Sequence, residues 1–176
     1  IGRSLFENKI SERIIDVAGA GSLIPLKQYD LFIDVIAELK NNLPNIKSVI
    51  AGKGSEEKLL QQKIEHAAIT NNISLAGEIS YADVLSLMQQ SKIFLHPSSY
   101  EGFSMVCQEA LYAGCHVISF CKPMNTDFNH WHVVKSKEEM TKKALKILLQ
   151  SGLKYEAVMP YSINDTANSI MKLYEH

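Results

Sequence analysis

Ser98-Ser99-Tyr100-Glu101-Gly102-Phe103-Ser104-Met105-Val106-Cys107-Gln108-Glu109-Ala110-Leu111 places two carboxylates around a glycine turn that opens a helix. Before it, Lys92 to His96 reads as an apolar strand, so Glu101 falls in a strand-to-helix loop. A carboxylate there can accept hydrogen bonds from hydroxyls, while the amides of the helix start point toward an anion. Glu109 follows about two turns later, which returns its side chain to nearly the same face. The pattern predicts that both acids look into one cleft from different depths, an arrangement suited to a ligand carrying hydroxyls and phosphates.

Working outward, apolar runs alternate with helical patterns, the mark of repeated βαβ units and a mostly parallel sheet covered on both faces. Strands are predicted at 14–20, 47–51, 73–76, 92–96 and 115–120. Helices are predicted over 29–42, from a Ser55 cap to about Ile69, over 81–90, over 103–113, from a Ser136 cap to Gly152, and over 162–174. Cys121 to Trp131, with Pro123, Asn125, Asp127 and Asn129, reads as irregular. The expected fold class is therefore α/β, a Rossmann-like three-layer α/β/α domain.

The 176 residues, 46% of them hydrophobic, suffice for one core and one domain. A net charge of -1 gives no basic footprint, so nucleic acid is not an expected partner. No apolar run reaches the roughly 20 residues of a membrane span, and Ile1 to Phe6 lacks the regions of a signal peptide. A cytoplasmic location is expected, with a membrane-peripheral placement open for the full-length protein. Cys107, Cys115 and Cys121 fit reduced thiols, and their spacing with His116, His130 and His132 matches no zinc pattern, so no metal is expected.

Ligands of a parallel α/β sheet bind outside the carboxyl ends of its strands, where the strand order reverses. Gly21, Gly52, Gly54 and Gly77 each follow a strand, as does the loop from Ser98 to Gly102. All are expected to line a single crevice. Lys27 lies just beyond the first of these loops, within reach of a diphosphate. Tyr100 and Phe103 either wall the pocket or pack the turn, and His96, beside a proline at a strand end, is read as structural.

The order and spacing of Ala20-Gly21-Ser22-Leu23-Ile24-Pro25-Leu26-Lys27, Ile50-Ala51-Gly52-Lys53-Gly54, Leu75-Ala76-Gly77 and the E-x7-E block of Glu101 and Glu109 resemble the group 1, or family 4, retaining glycosyltransferases of the GT-B architecture. The likeness is to their C-terminal, donor-binding half, and it implies that an N-terminal acceptor domain belongs to the same protein but lies outside this chain. It implies a nucleoside diphosphate sugar as substrate, no required cofactor, and transfer of a hexose to a glycan or other acceptor, as in polysaccharide biosynthesis. By this resemblance Glu101 would serve the transferred sugar and Glu109 the ribose. Lys27 would serve the phosphates, and the backbone of Gly102, Phe103, Ser104, Met105 and Val106 the sugar and phosphates. Glu101 and Lys27 are the expected catalytic pair.

Two departures stand out. Relatives usually carry arginine where this chain has Ser22, and a glycine pair with Pro-Glu where it has Cys121 to Thr126. A non-catalytic nucleotide-binding module on the same fold is the alternative reading. A regulator-like α/β domain is a third, but the loop Gly21-Ser22-Leu23 offers no acidic pocket for it.

Overall fold

A computed structural model describes residues 12–121, 127–159 and 171. Six strands form one sheet: β1 (Ile15–Ala20), β2 (Ser48–Ala51), β3 (Ile73–Gly77), β4 (Ser91–His96), β5 (His116–Ser119) and β6 (Trp131–Val133). Every neighbouring pair runs parallel. The spatial order β3-β2-β1-β4-β5-β6 reverses between β1 and β4, which makes that gap the topological switch point of a Rossmann-like sheet.

The strands read as continuous apolar runs because both faces are covered. Neighbouring residues go to opposite sides, as the two-residue period of a strand requires. Val17, Ile93, Leu95 and Ile118 join one core, while Ala18, Phe94 and Val117 join the other. The first core is closed by α1 (Tyr29–Lys40), α2 (Glu57–His66) and α5 (Lys137–Leu148), and the second by α3 (Tyr81–Gln89) and α4 (Met105–Tyr112). The chain thus winds one way from β1 to β3 and the other from β4 onward, leaving the loops after β1 and β4 to diverge over a crevice.

Caps explain several boundaries. Ser80 Oγ accepts from the Asp83 amide at the start of α3, and Ser136 Oγ accepts from the Glu139 amide at the start of α5. Ser55 does not cap α2 as expected. Its place is taken by backbone, since the Glu56 amide donates to the Leu23 carbonyl and the Glu57 amide to the Gly54 carbonyl.

Two further expectations are corrected. The helix predicted from Phe103 begins at Met105, because Ser104 adopts a left-handed conformation (φ 47°, ψ 58°) that breaks the helical path just before it. The irregular stretch expected to reach Trp131 gives way there to β6, paired with β5 through the register Val117↔Trp131 and Ile118↔His132. A three-residue edge strand is too short to show a period. The helix expected over 162–174, apart from the helical residue 171, and the loop over 122–126 fall outside the described residues.

Candidate functional site

Three backbone approaches build the floor at the carboxyl end of the sheet. The Gly21 amide donates to the Ala51 carbonyl at 3.0 Å, and the Gly52 amide to the Gly77 carbonyl at 2.7 Å, so the turns after β1, β2 and β3 are laced together. Gly52 combines φ +145° with a position where an added Cβ would stand 1.8 Å from the Gly21 carbonyl oxygen. Only glycine satisfies both conditions.

Across the switch point, the carbonyl of Leu26 accepts from the Ser99 amide at 3.0 Å and from the Ser98 and Ser99 hydroxyls at 3.2 Å each. These bonds draw the loop after β4 onto the single 3-10 turn Pro25–Lys27 that precedes α1. The next residue, Lys27, therefore meets Glu101, its ammonium donating to Oε1 of the carboxylate. The same oxygen accepts from His96 Nε2 at 2.7 Å. His96 is the last residue of β4 and almost fully buried.

Burial opposes charge on both partners of that contact. It holds the His96 imidazole below its ordinary pKa, and the neighbouring Glu101 only partly offsets it. For Glu101, burial acts to raise the pKa, but the hydrogen bonds from Lys27 and His96 outweigh it and keep the carboxyl below the ordinary range. At neutral pH the group is thus a carboxylate held by one cation and one neutral donor. The reading of His96 as merely structural missed this, since nothing in the order of residues shows that the strand end and the glutamate five positions later fold back together.

A cleft of about 450 Å³ opens above these groups. Of the expected residues, Gly21, Ser22, Lys27, Gly52, Glu101, Met105 and Val106 line it, joined by Glu78 and Ile79 from the β3–α3 connection and Val84 from α3, which the sequence reading passed over. Gly54, Gly77, Gly102, Phe103, Ser104 and Glu109 are not among its walls. Gly54 instead packs against the Leu23 backbone, where a Cβ would lie 2.2 Å from the carbonyl oxygen. Tyr100 and Phe103 point to solvent rather than into the pocket.

The helix start contributes as expected but from fewer residues. With Ser104 as N-cap, Met105 and Val106 are the first-turn positions whose amides have no carbonyl of their own helix to meet. Glu109 lies deeper than Glu101, buried, with its Oε1 accepting from the Tyr81 hydroxyl at 2.8 Å. Burial first, and then this bond, push the Tyr81 phenol up to about 12.

A lysine, a carboxylate and helix-start amides over the switch point of a parallel sheet are what a phosphorylated, hydroxyl-rich ligand needs. Comparison with known proteins gives the family. Residues 3–165 match the family model described as glycosyl transferases group 1. The chain belongs to that family. The gpi3 subunit of phosphatidylinositol N-acetylglucosaminyltransferase from Schizosaccharomyces pombe is 31% identical over 112 residues, covering 64% of this chain and 25% of that protein. The GtfA subunit of a UDP-N-acetylglucosamine–peptide N-acetylglucosaminyltransferase from Streptococcus pneumoniae is 27% identical over 120 residues, covering 68% of this chain and 23% of that protein.

Among solved structures, the C-terminal domain of a group 1 glycosyl transferase (LpcC) from Francisella tularensis superposes with a TM-score of 0.75 at 20% identity, covering 89% of this chain and 92% of that one. This likeness supports the fold. The chain spans about a quarter of the length of the curated relatives it matches. Among the described residues, no helix is long and apolar enough to cross a membrane.

Proposed function

We propose that this glycosyltransferase chain is the donor-binding part of a retaining enzyme that moves a hexose, of the N-acetylglucosamine type, from a uridine diphosphate sugar to a glycan or other acceptor. The observation that carries the reading is the meeting of Lys27 and Glu101 across the β1–β4 gap, beside the first turn of α4. The choice of uridine diphosphate and of N-acetylglucosamine is supported by the name of the streptococcal relative.

In this reading Lys27 and the amides of Met105 and Val106 take up the diphosphate. As the bond to the sugar breaks, negative charge grows on the leaving phosphate, and fixed donors around it lower the barrier without a metal ion. Ser22, where relatives carry arginine, supplies a hydroxyl but no charge, so Lys27 carries more of that task. Glu101 keeps Oε2 for the sugar hydroxyls because Oε1 is already held by Lys27 and His96. Glu109, with Oε1 occupied by Tyr81, offers its other oxygen to the ribose.

The acceptor is handled by parts of the protein beyond this chain, as in a GT-B enzyme of two such domains. The chain alone is expected to bind donor and transfer nothing. A cytoplasmic location is part of this reading, supported by three cysteines that pair with none of one another.

A thermal-shift panel of UDP, GDP, ADP and their sugar conjugates tests the reading on wild type and Glu109→Ala. A saturable stabilisation by the uridine compounds, reduced in the variant and unchanged by EDTA, is the expected outcome. Stabilisation by none of them, or sugar transfer by this chain alone, contradicts it.

A further inference from the structure

The Glu101 carboxylate sits at the end of a flexible side chain in a loop with glycine immediately after it, yet its task demands a fixed oxygen. Two donors converge on its Oε1. Lys27 comes from the partly exposed 3-10 turn and is itself expected to turn toward phosphate when a donor binds. His96 is different in kind. It belongs to the rigid central strand β4, its side chain is 2% exposed, and its ring lies nearly parallel to that of Phe94, with centroids 6.3 Å apart and planes 17° apart.

β4 is the strand next to the switch point, bonded on both edges to β1 and β5, so its terminal side chain has little freedom. An imidazole so placed can aim one N–H and cannot follow a ligand. We propose that His96 is a positioning residue that fixes the Glu101 carboxylate through an Nε2–H donor, so that the site keeps its sugar-facing oxygen in place when Lys27 is drawn to the phosphates.

The consequence concerns selectivity. A ligand lacking the sugar does not use the Glu101 oxygen, so His96 contributes to affinity for the sugar conjugate and not for the bare nucleotide. This rests on the proposed donor reading, but part of it is independent of any ligand. If His96 donates to Glu101, its loss must raise the Glu101 pKa, because a hydrogen bond that favours the charged form is removed.

The test uses His96→Leu, which abolishes the donor, and His96→Gln, whose terminal amide can reach the same place with an N–H. NMR titration of the Glu101 side-chain carboxyl gives the ligand-free readout. The inference requires a higher Glu101 pKa in His96→Leu and a near-normal one in His96→Gln. A Glu101 titration unmoved in His96→Leu, with the fold intact by its amide spectrum, overturns it.

Calorimetry with UDP and UDP-N-acetylglucosamine gives the second readout. The ratio of the two affinities should shift by about tenfold against the sugar conjugate in His96→Leu and recover in His96→Gln. Equal weakening of both ligands in His96→Leu overturns the inference while leaving the donor reading intact. If neither ligand binds wild type, the donor reading fails, and the positioning of Glu101 by His96 is decided by the titration alone.

Discussion

At the carboxyl end of the sheet the N-terminus of α4 faces a cleft beside Lys27, Glu101 and His96, whereas at the amino end the same helix closes on a half-buried cation. There Arg13 donates to the carbonyl of Ala113, which caps α4, and to that of Met88 in the last turn of α3. Its guanidinium also stands 4.7 Å from the centre of the Tyr155 ring. Helix dipoles favour this division, anions at one end and cations at the other. The difference is one of completion. Arg13 has its partners within the protein, while the first turn of α4 presents amides to a space that a ligand can fill.

Histidines follow the same division. His96 at the carboxyl end bonds a carboxylate that lines the cleft. At the amino end His116 stacks on His130, with ring centroids 4.3 Å apart, faces His132 across 3.4 Å between ring nitrogens, and bonds the Lys154 carbonyl at 3.2 Å. The His116 and His132 rings lie in almost parallel planes, 1° apart, with centroids 5.7 Å apart. That spacing equals the nitrogen gap plus the two ring radii, so the nitrogens point at each other. This is the geometry of one shared proton and not of two ligands converging on an ion.

The largest expected effect breaks the carboxyl end itself. Gly52→Ala forces a methyl group onto the Gly21 carbonyl and into an unfavourable φ, so a loss of about 3 kcal/mol or more is expected by denaturant unfolding. Gly77→Ala is the matched control, since it has φ +68° but no atom within 4 Å, and it should cost only about 1 kcal/mol. Equal costs would mean that the lacing of the three turns contributes nothing.

Next in size is an exchange between the two ends. Arg13→Met takes the arginine donor from the Ala113 carbonyl and one of several donors from the Met88 carbonyl, and should cost about 2 kcal/mol of stability while leaving nucleotide affinity unchanged. Lys27→Met should do the reverse, weakening binding of UDP by about tenfold or more with little change in melting temperature. If both variants lose stability and neither loses affinity, the assignment of one end to folding and the other to ligand is wrong.

Much of this was legible in the sequence, for reasons that differ by element. The strands of the sheet interior announced themselves because both faces are buried, and the Ser136 cap followed from local hydrogen bonding, whereas the Ser80 cap was not read. The glycine turns and Lys27 were found because spacing along the chain fixes which strand end each occupies. What could not be read was contact across the switch point. The bond between His96 and Glu101, the clasp of Leu26 by Ser98 and Ser99, and the pairing of Tyr81 with Glu109 depend on how loops from separate units lean together. Ile79 and Val84 escaped notice for a related reason, since an apolar residue after a strand or on a helix looks like core until the fold shows it facing a cleft. Glu109, in turn, satisfied the helical spacing but is buried against the Tyr81 hydroxyl and is not among the residues lining the cleft.

The smallest expected effect concerns acid, and single substitutions apportion it between the two ends. Burial holds both His116 and His132 down to about 4, with His130 and Arg13 adding to the effect on His116, and Lys143, His116 and His130 to that on His132. The hydrogen bond to the Lys154 carbonyl opposes it at His116 but does not prevail. In the unfolded chain these imidazoles titrate near 6.5, so between pH 6.5 and 4 the unfolded state binds protons that the folded state refuses. The contribution of these two histidines should therefore be level above pH 6.5 and fall as the pH drops toward 4, by a few degrees of melting temperature for a domain of this size. His132→Gln keeps a side-chain partner for His116 but takes up no proton, so its profile should be shallower over that window. His96 contributes with the same sign, which His96→Gln would reveal separately. A His132→Gln profile that superimposes on wild type would show that the amino-end cluster is already protonated or already loose at neutral pH, and that only the carboxyl end responds to acid.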